Sequence, residues 1–330
     1  MIFLKKAENE AISNFLIAKC IEVEDFGGLK LEDLWEIHNS IKVKEKYFDG
    51  EFKKPNLLDL KIEIARNIFK NCHFCEHRCY VNREKDRGFC KIRKSYYSSE
   101  FLHMGEERIL IPSHTIFFCG CNFKCVFCQN WDISQVYFEK IPCYCHPYNP
   151  KDMAKIIERK RIYSKNVNFV GGEPTPHLLS ILETLKYVNL NIPVVWNSNM
   201  YLTIEALKLL DGVVDLYLTD FKFGNNTCAE RLSKVKNYFD IVKRNHIFVK
   251  EYDMIIRHLV MPNHLQCCTE RIFKFIKENL DRKNILVNVM FQYRPEYKAK
   301  FYNDINRPLT YEEMDMAMEL AKKYKLNLIL

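Results

Sequence analysis

The sequence predicts an α/β protein: a parallel sheet covered by helices, read as an open or partial (β/α) barrel behind a helical, cysteine-bearing N-terminal extension. Two observations predict it. From His114 onward, short apolar runs alternate with stretches of helical periodicity. Before them, apolar positions recur at three-to-four spacing over Ala11 to Ala18 and Leu57 to Phe69, so residues 1 to about 70 read as mostly helical. A doubly wound sheet is the competing arrangement. Either one places the active site at the C-terminal ends of the strands.

Taken in order, Ile41 to Asn56 is rich in Lys and Glu, with Gly50 and Pro55, and reads as a loop or linker. A cysteine group follows, then a short polar stretch to about Glu100. The expected strands are Thr115–Cys119, Val167–Val170, Ile192–Trp196, Val213–Leu218, Met254–Val260 and Ile285–Phe291. Between them lie expected helices at Lys151–Tyr163, Leu178–Val188, Thr203–Leu210, Ala229–Arg244 and Glu270–Leu280. Thr310 with Glu313 three residues on forms a capping box, which starts a last helix to about Tyr324. A closing apolar run covers Leu326 to Leu330. The expected division is a helical region 1–70, a four-cysteine segment 71–100 and a barrel 101–330.

The chain has 330 residues, 48% of them hydrophobic and 28% charged, the balance of a globular protein with a sizeable core. No apolar run approaches the ~18 residues of a membrane span, so no membrane partner is expected. Met1 to Glu10 holds Lys5, Lys6, Glu8 and Glu10 and no apolar stretch of a secretory signal, which makes the cytoplasm the expected location. The net charge is 50 − 42 = +8, spread without a basic block, so a solvated surface is expected rather than a nucleic-acid footprint.

Fourteen cysteines in a reducing compartment suggest metal ligands more than bridges. Cys72, Cys75, Cys79 and Cys90 form one group; Cys119, Cys121, Cys125 and Cys128 form another. Cys121, Cys125 and Cys128 have C-x3-C-x2-C spacing just after the first expected strand. Three thiolates from one loop leave one iron of a [4Fe–4S] cube open to a small-molecule ligand. The alternative is a zinc site completed by Cys119, Cys143, Cys145 or His146, but zinc ribbons pair two C-x2–4-C knuckles, and C-x3-C-x2-C is not one half of that.

On these residues the sequence resembles the radical SAM superfamily, whose motif is C-x3-C-x-aromatic-C, with Phe127 in the aromatic place. The resemblance spans roughly Cys72 to Tyr293. Cys-Val-Phe-Cys-Gln-Asn-Trp-Asp-Ile-Ser at 125–134 and Phe-Gln-Tyr-Arg-Pro at 291–295 are similar to a subgroup of uncharacterised iron–sulfur proteins related to the pyruvate formate-lyase activating enzyme. It implies a partial (β/α)6 barrel, a [4Fe–4S] cluster on Cys121, Cys125 and Cys128, and S-adenosylmethionine (SAM) as cofactor. Gly171-Gly172-Glu173-Pro174 follows a strand and matches the segment that receives the methionyl amine of SAM. Two glycines permit positive φ and close backbone approach to a ligand. Asn197 and Ser198, beside Asn199, end the next strand, where the family places polar SAM contacts. Asp220 and Lys222 match a D-x-K that helps hold the SAM carboxylate and a cation. His258 resembles a position contacting the nucleoside. No G-x-G-x-x-G and no Gly-Lys dipeptide occurs, which removes Rossmann and Walker readings.

Cys72, Cys75, Cys79 and Cys90, with His73 and His77 between them, offer four thiols and so suit a closed second site, zinc or an auxiliary [4Fe–4S] cluster equally. Cys143, Cys145, His146, Cys267 and Cys268 stay unassigned. The activity implied by the resemblance is reductive cleavage of SAM to a 5′-deoxyadenosyl radical, with a protein or peptide as hydrogen donor and a low-potential electron donor as partner. Two readings compete: a radical SAM enzyme on a small molecule without a glycyl-radical partner, and a non-catalytic zinc or iron–sulfur binding module.

Overall fold

The computed structural model describes residues 1–41, 50–139 and 144–329. Its strands are β1 (Tyr96–His103), β2 (Ser113–Phe118), β3 (His146–Pro147), β4 (Asn166–Gly171), β5 (Val194–Ser198), β6 (Leu216–Asp220), β7 (Asp253–Leu259) and β8 (Ile285–Met290). Its N-terminal helices are α1 (Ile2–Ala7), α2 (Asn14–Cys20), α3 (Leu31–Ser40) and α4 (Leu57–Lys70). The later helices are α5 (Trp131–Ser134), α6 (Pro150–Lys160), α7 (Leu178–Tyr187), α8 (Ile204–Leu210), α9 (Asn226–Ser233), α10 (Tyr238–Phe248), α11 (Arg271–Asn279) and α12 (Tyr311–Lys323).

All eight strands share one sheet, in the order β3-β1-β2-β4-β5-β6-β7-β8. From β2 to β8 each neighbouring pair is parallel, while β1 runs antiparallel to both β2 and β3. Neither β2 nor β8 pairs with the other, so the six parallel strands make an open, partial barrel. The parallel strands follow chain order with no reversal, which sets the doubly wound alternative aside. Among the described residues no helix is long and apolar enough to cross a membrane.

Side chains alternate across each strand, and one parity faces the lumen in layers. The lowest layer is apolar: Val195, Leu216, Leu218 and Ile255 pack with Phe3 of α1 and with Leu110. The Phe3 amide donates to Asp253 Oδ2 at 2.6 Å, and Lys6 Nζ donates to Asp215 Oδ1 at 2.6 Å, so α1 closes the N-terminal end of the barrel. One step up, Arg257 Nε donates to Glu107 Oε1 at 2.8 Å, Asn288 Nδ2 donates to the same oxygen at 2.8 Å, and Asn168 Nδ2 donates to Glu106 Oε1 at 3.1 Å. Above that layer the strand ends open into a cleft.

The N-terminal helices do not stand apart. Phe15, Leu57 and Ile64 lie in the same buried cluster as Val167, Leu182 and Trp196. The expected linker falls partly on residues 42–49, outside the described residues, and its last residue Asn56 caps α4 by accepting from the Asp59 amide at 3.0 Å. The capping box at Thr310 and Glu313 is present.

Three differences from the sequence reading have physical causes. Strand β1 lies in the expected polar stretch. Its residues are nearly all half-buried, so the apolar alternation that marks a strand is weak. The single helix expected over Ala229–Arg244 is two, α9 and α10, with Lys234 at φ 59° and Asn237 at φ 52° between them. No glycine or proline marks that break. It frees the Leu232 and Ser233 carbonyls, which a continuing helix would use internally, to accept from the Val126 amide at 2.9 Å and the Lys124 amide at 3.0 Å. Third, the closing apolar run forms one parallel bridge, Val287 to Leu328, and no full strand among its described residues.

Candidate active site

Loop 119–130 leaves β2 at the C-terminal rim of the barrel. Cys121, Cys125 and Cys128 converge there on one cleft of about 240 Å³, which Glu173, Asn197, Asp220 and Lys222 also line. The loop is held from outside by the two α9 carbonyls and from below by Gln135, whose Nε2 donates to the Phe123 carbonyl at 3.2 Å. Each thiol has one short polar neighbour. The Ser233 hydroxyl donates to Cys125 Sγ at 2.9 Å, Ser134 Oγ lies 3.0 Å from Cys128 Sγ, and the Phe123 amide donates to Cys121 Sγ at 3.3 Å.

Burial pushes the Cys125 thiol up to about 12, Cys128 adds to the rise, and Lys222 opposes it. Cys121 is also raised, by burial first and then by Glu173 and Cys125. A bound cation would offset that burial cost and favour the thiolates. Among the described residues no fourth cysteine lines the cleft. Of the fourth zinc ligands considered above, Cys119 is disulfide-bonded to Cys145 and His146 is exposed, while Cys143 lies outside the described residues. The sequence reading favoured metal ligands over bridges, and this pair is a bridge. Cys119 N–H bonds the Tyr96 carbonyl while His146 pairs with Tyr97, so strand pairing brings residue 145 to residue 119.

Gly171 and Gly172 sit where expected, for a different immediate reason. Gly171 has φ +115°, and a Cβ there would meet the Phe118 amide nitrogen at 2.0 Å; one on Gly172 would meet the Gly120 carbonyl oxygen at 2.0 Å. They are glycines because β4 abuts the thiol-bearing loop. Glu173 is 2% exposed. Its Oε1 accepts from Ser198 Oγ at 2.6 Å and from the Thr175 amide at 3.2 Å, and Oε2 accepts from the Asn199 amide at 2.9 Å. Burial still holds its carboxyl above the usual range, against those donors.

Lys222 Nζ bonds Asp220 Oδ2. Burial works against the ammonium, but Asp220 and the Cys125 sulfur outweigh it and raise its pKa. Phe127 and Asn197 line the cleft. Ser198 and His258 do not. Ser198 instead holds Glu173, and His258 Nδ1 donates to the Phe221 carbonyl at 2.7 Å while Nε2 accepts from Thr269 Oγ1 at 2.9 Å. Burial lowers its pKa to about 4. Alternation explains this: on β7 the lumen parity belongs to Arg257 and Leu259, which do line the cleft. Sequence reasoning missed both, and also Met290 on β8. The strand alternation that would have found them was present; the inward parity was not known.

The four upstream cysteines gather beside this loop. The Cys72 amide donates to the Val81 carbonyl at 2.9 Å and the Tyr80 amide returns to the Cys72 carbonyl at 2.9 Å. Burial raises the Cys75 thiol, and Cys90, Cys72 and Cys79 add to the rise. Cys75 bridges Leu202, and His77 Nε2 donates to the Asn122 carbonyl at 2.8 Å, while His73 Nδ1 is engaged by the Asn71 carbonyl at 2.6 Å.

The chain is 72% identical over 334 residues, 99% of its length and 98% of the relative's, to the uncharacterized protein MJ0674 of Methanocaldococcus jannaschii. It is 26% identical over 275 residues, 76% of this chain and 77% of the relative, to the uncharacterized protein MJ0808 of the same organism. Among solved structures, Streptococcus suis SuiB bound to SAM has 16% identity and a TM-score of 0.43, over 63% of this chain and 47% of that one. TYW1 with a lysine–pyruvate adduct has 15% identity and a TM-score of 0.40, over 63% of this chain and 73% of that one. The chain thus spans about half the length of SuiB. The model of the radical SAM superfamily matches residues 115–276, a stretch that holds β2, the three-cysteine loop and every strand end around the cleft through β7. The chain belongs to the radical SAM superfamily.

Proposed function

We propose that this radical SAM enzyme carries a [4Fe–4S] cluster on Cys121, Cys125 and Cys128, binds SAM in the adjoining cleft and acts on a protein or peptide in the manner of an activating enzyme. The observation that carries the reading is the convergence of three thiols, two buried and one half-buried, with no fourth cysteine among the described residues, on a cleft that also presents Glu173, Asp220 and Lys222. This donor set fits a cluster with one open iron. The chemistry that cluster and SAM supply together is one-electron cleavage of the sulfonium to a 5′-deoxyadenosyl radical, which takes hydrogen from the substrate.

The chain's own residues bind and orient. Glu173, its two oxygens fixed by Ser198, Thr175 and Asn199, offers a rigid acceptor to the methionyl ammonium, and Lys222 offers a cation to the carboxylate. Asn197 supplies a neutral polar contact at the same rim. Phe127 and Leu259 exclude water. The protein or peptide substrate rests on the resemblance of residues 125–134 and 291–295 to relatives of an activating enzyme. The low-potential electron donor belongs to the same reading.

We further infer that Cys72, Cys75, Cys79 and Cys90 hold a second metal centre, on the four-thiol turn described above. The decisive experiment is anaerobic reconstitution of wild type and Cys125→Ser. Wild type should hold iron and sulfide and release 5′-deoxyadenosine from SAM after reduction, and Cys125→Ser should lose that release while folding. Release at the wild-type rate would defeat the assignment. Cys75→Ser should lower total metal and leave the three-cysteine site loaded; unchanged metal would reduce the upstream group to plain thiols.

A further inference from the structure

Outside the cleft, the described residues contain one group whose ligand atoms all lie within 4.8 Å of one another: Cys228, His264 and Cys267. Cys228 Sγ is 4.0 Å from Cys267 Sγ, and Cys267 Sγ is 3.9 Å from Cys268 Sγ. A tetrahedral zinc ion with bonds of about 2.3 Å to sulfur sets two sulfurs roughly 3.8 Å apart. The spacing is therefore that of thiolates around a single ion, already formed.

The imidazole is prepared for the same task. His264 Nδ1 lies 2.7 Å from the Pro262 carbonyl, which only accepts, so Nδ1 carries a proton and, in the neutral ring, the lone pair is on Nε2. This is the tautomer a metal-bound histidine adopts, fixed by a carbonyl on its other nitrogen. Around Nε2 stand an Arg231 nitrogen and Asp304 Oδ2, each at 3.5 Å, too long for strong bonds. Arg231 is itself paired with Asp304, so its charge is compensated.

A scaffold holds the three segments together. Asn225 caps α9 by accepting from the Cys228 amide at 2.8 Å, and its Nδ2 donates to the Cys267 carbonyl at 2.9 Å and to Cys228 Sγ at 3.2 Å. A single turn of wider π-type helix, Leu265–Glu270, presents Cys267 and Cys268 side by side. Such insertions recur at functional sites. Gly224 permits the approach, since a Cβ there would meet the Cys268 carbonyl oxygen at 2.5 Å.

We propose that Cys228, His264 and Cys267 bind a zinc-class ion, a soft divalent cation of tetrahedral preference, with Cys268 Sγ, 3.9 Å from Cys267 Sγ, as a fourth donor. Its place in the fold gives it a purpose. Cys228 lies in the first turn of α9, and Ser233, five residues or about 7.5 Å along the axis, holds Cys125 Sγ. An ion at one end of α9 would fix the helix whose other end steadies the three-cysteine loop. The inference does not depend on the substrate proposed above.

The test uses the full wild-type chain, stripped by chelator under anaerobic conditions and given zinc alone. Zinc should protect Cys228 and Cys267 from iodoacetamide at least tenfold, read by peptide mass spectrometry. Separately, His264→Gln should hold about one molar equivalent less zinc than wild type. Equal alkylation of Cys228 and Cys267 with and without zinc would overturn the proposal, as would an unchanged zinc count in a folded His264→Gln. A disulfide-linked Cys228–Cys267 peptide that persists in zinc would overturn it too.

Discussion

Glu173 shows how much one side chain depends on another that never touches the cleft. Ser198, one residue past Asn197 on β5, points away from the lumen and holds Glu173 Oε1 at 2.6 Å. Removing its hydroxyl leaves a buried carboxylate short of one donor, a loss of about 1–3 kcal/mol, so Ser198→Ala should weaken SAM binding roughly tenfold in equilibrium titration. His258→Gln should leave that affinity unchanged and lower the melting temperature, because both ring nitrogens are used inside the fold. If His258→Gln weakened SAM binding as much as Ser198→Ala does, the reading of β7 parity would be wrong. Which of two neighbouring polar residues reaches the cleft was not legible in the sequence. Adjacent positions differ only in the face they occupy, and a partner strand decides the face.

At the scale of elements, β7 and α4 each carry a buried charge with consequences. Arg257 sits in the lumen between Glu106 and Glu107, both almost fully buried. Arg257→Met would leave two buried carboxylates without their cation, and a stability loss of roughly 3–5 kcal/mol is expected in denaturant melts. On α4, Lys61 is fully buried, donating to the Lys208 carbonyl at 2.7 Å and to His38 Nε2 at 2.8 Å. Burial lowers its pKa from 10.5 to about 7, with Asp211 opposing. Between those values the unfolded chain binds a proton that the folded one does not. Stability therefore rises with pH from about 7 to about 10.5, by up to about 1.4 kcal/mol per pH unit. Lys61→Met should flatten that rise, read as denaturant midpoints at two pH values within the window; an unchanged slope would show that Lys61 stays charged. Helices α4, α6 and α12 were legible from periodicity and caps. The break between α9 and α10 was not, because its cause is the distant loop that takes the freed carbonyls.

Over the whole molecule, the barrel has a closed end and a working end. Phe3 and Leu110 fill the lumen from below, polar and charged residues occupy the middle, and the thiols lie at the top. The closed end is assembled from the chain's first residues and its central strands, 250 positions apart at the Phe3–Asp253 bond. Phe3→Ala should cost about 3–5 kcal/mol of stability, since the surrounding strands cannot collapse onto the void. SAM binding by the folded fraction should survive, because the plug lies at the opposite end from the cleft. Loss of binding in protein still folded by circular dichroism would show that the two ends are coupled.

What the sequence settled alone was local: the short apolar runs that make the strands, the caps that start helices, and the spacing that puts Cys121, Cys125 and Cys128 on one loop. Those features need only neighbours within a few residues, so they can be read along the chain. Tertiary structure decided the rest. Ser233 meets Cys125 across 108 positions, Cys119 meets Cys145, and Cys228 meets His264 and Cys267. Each of these meetings is set by strand order and by which face of a strand or helix turns inward, and no short window of sequence records either.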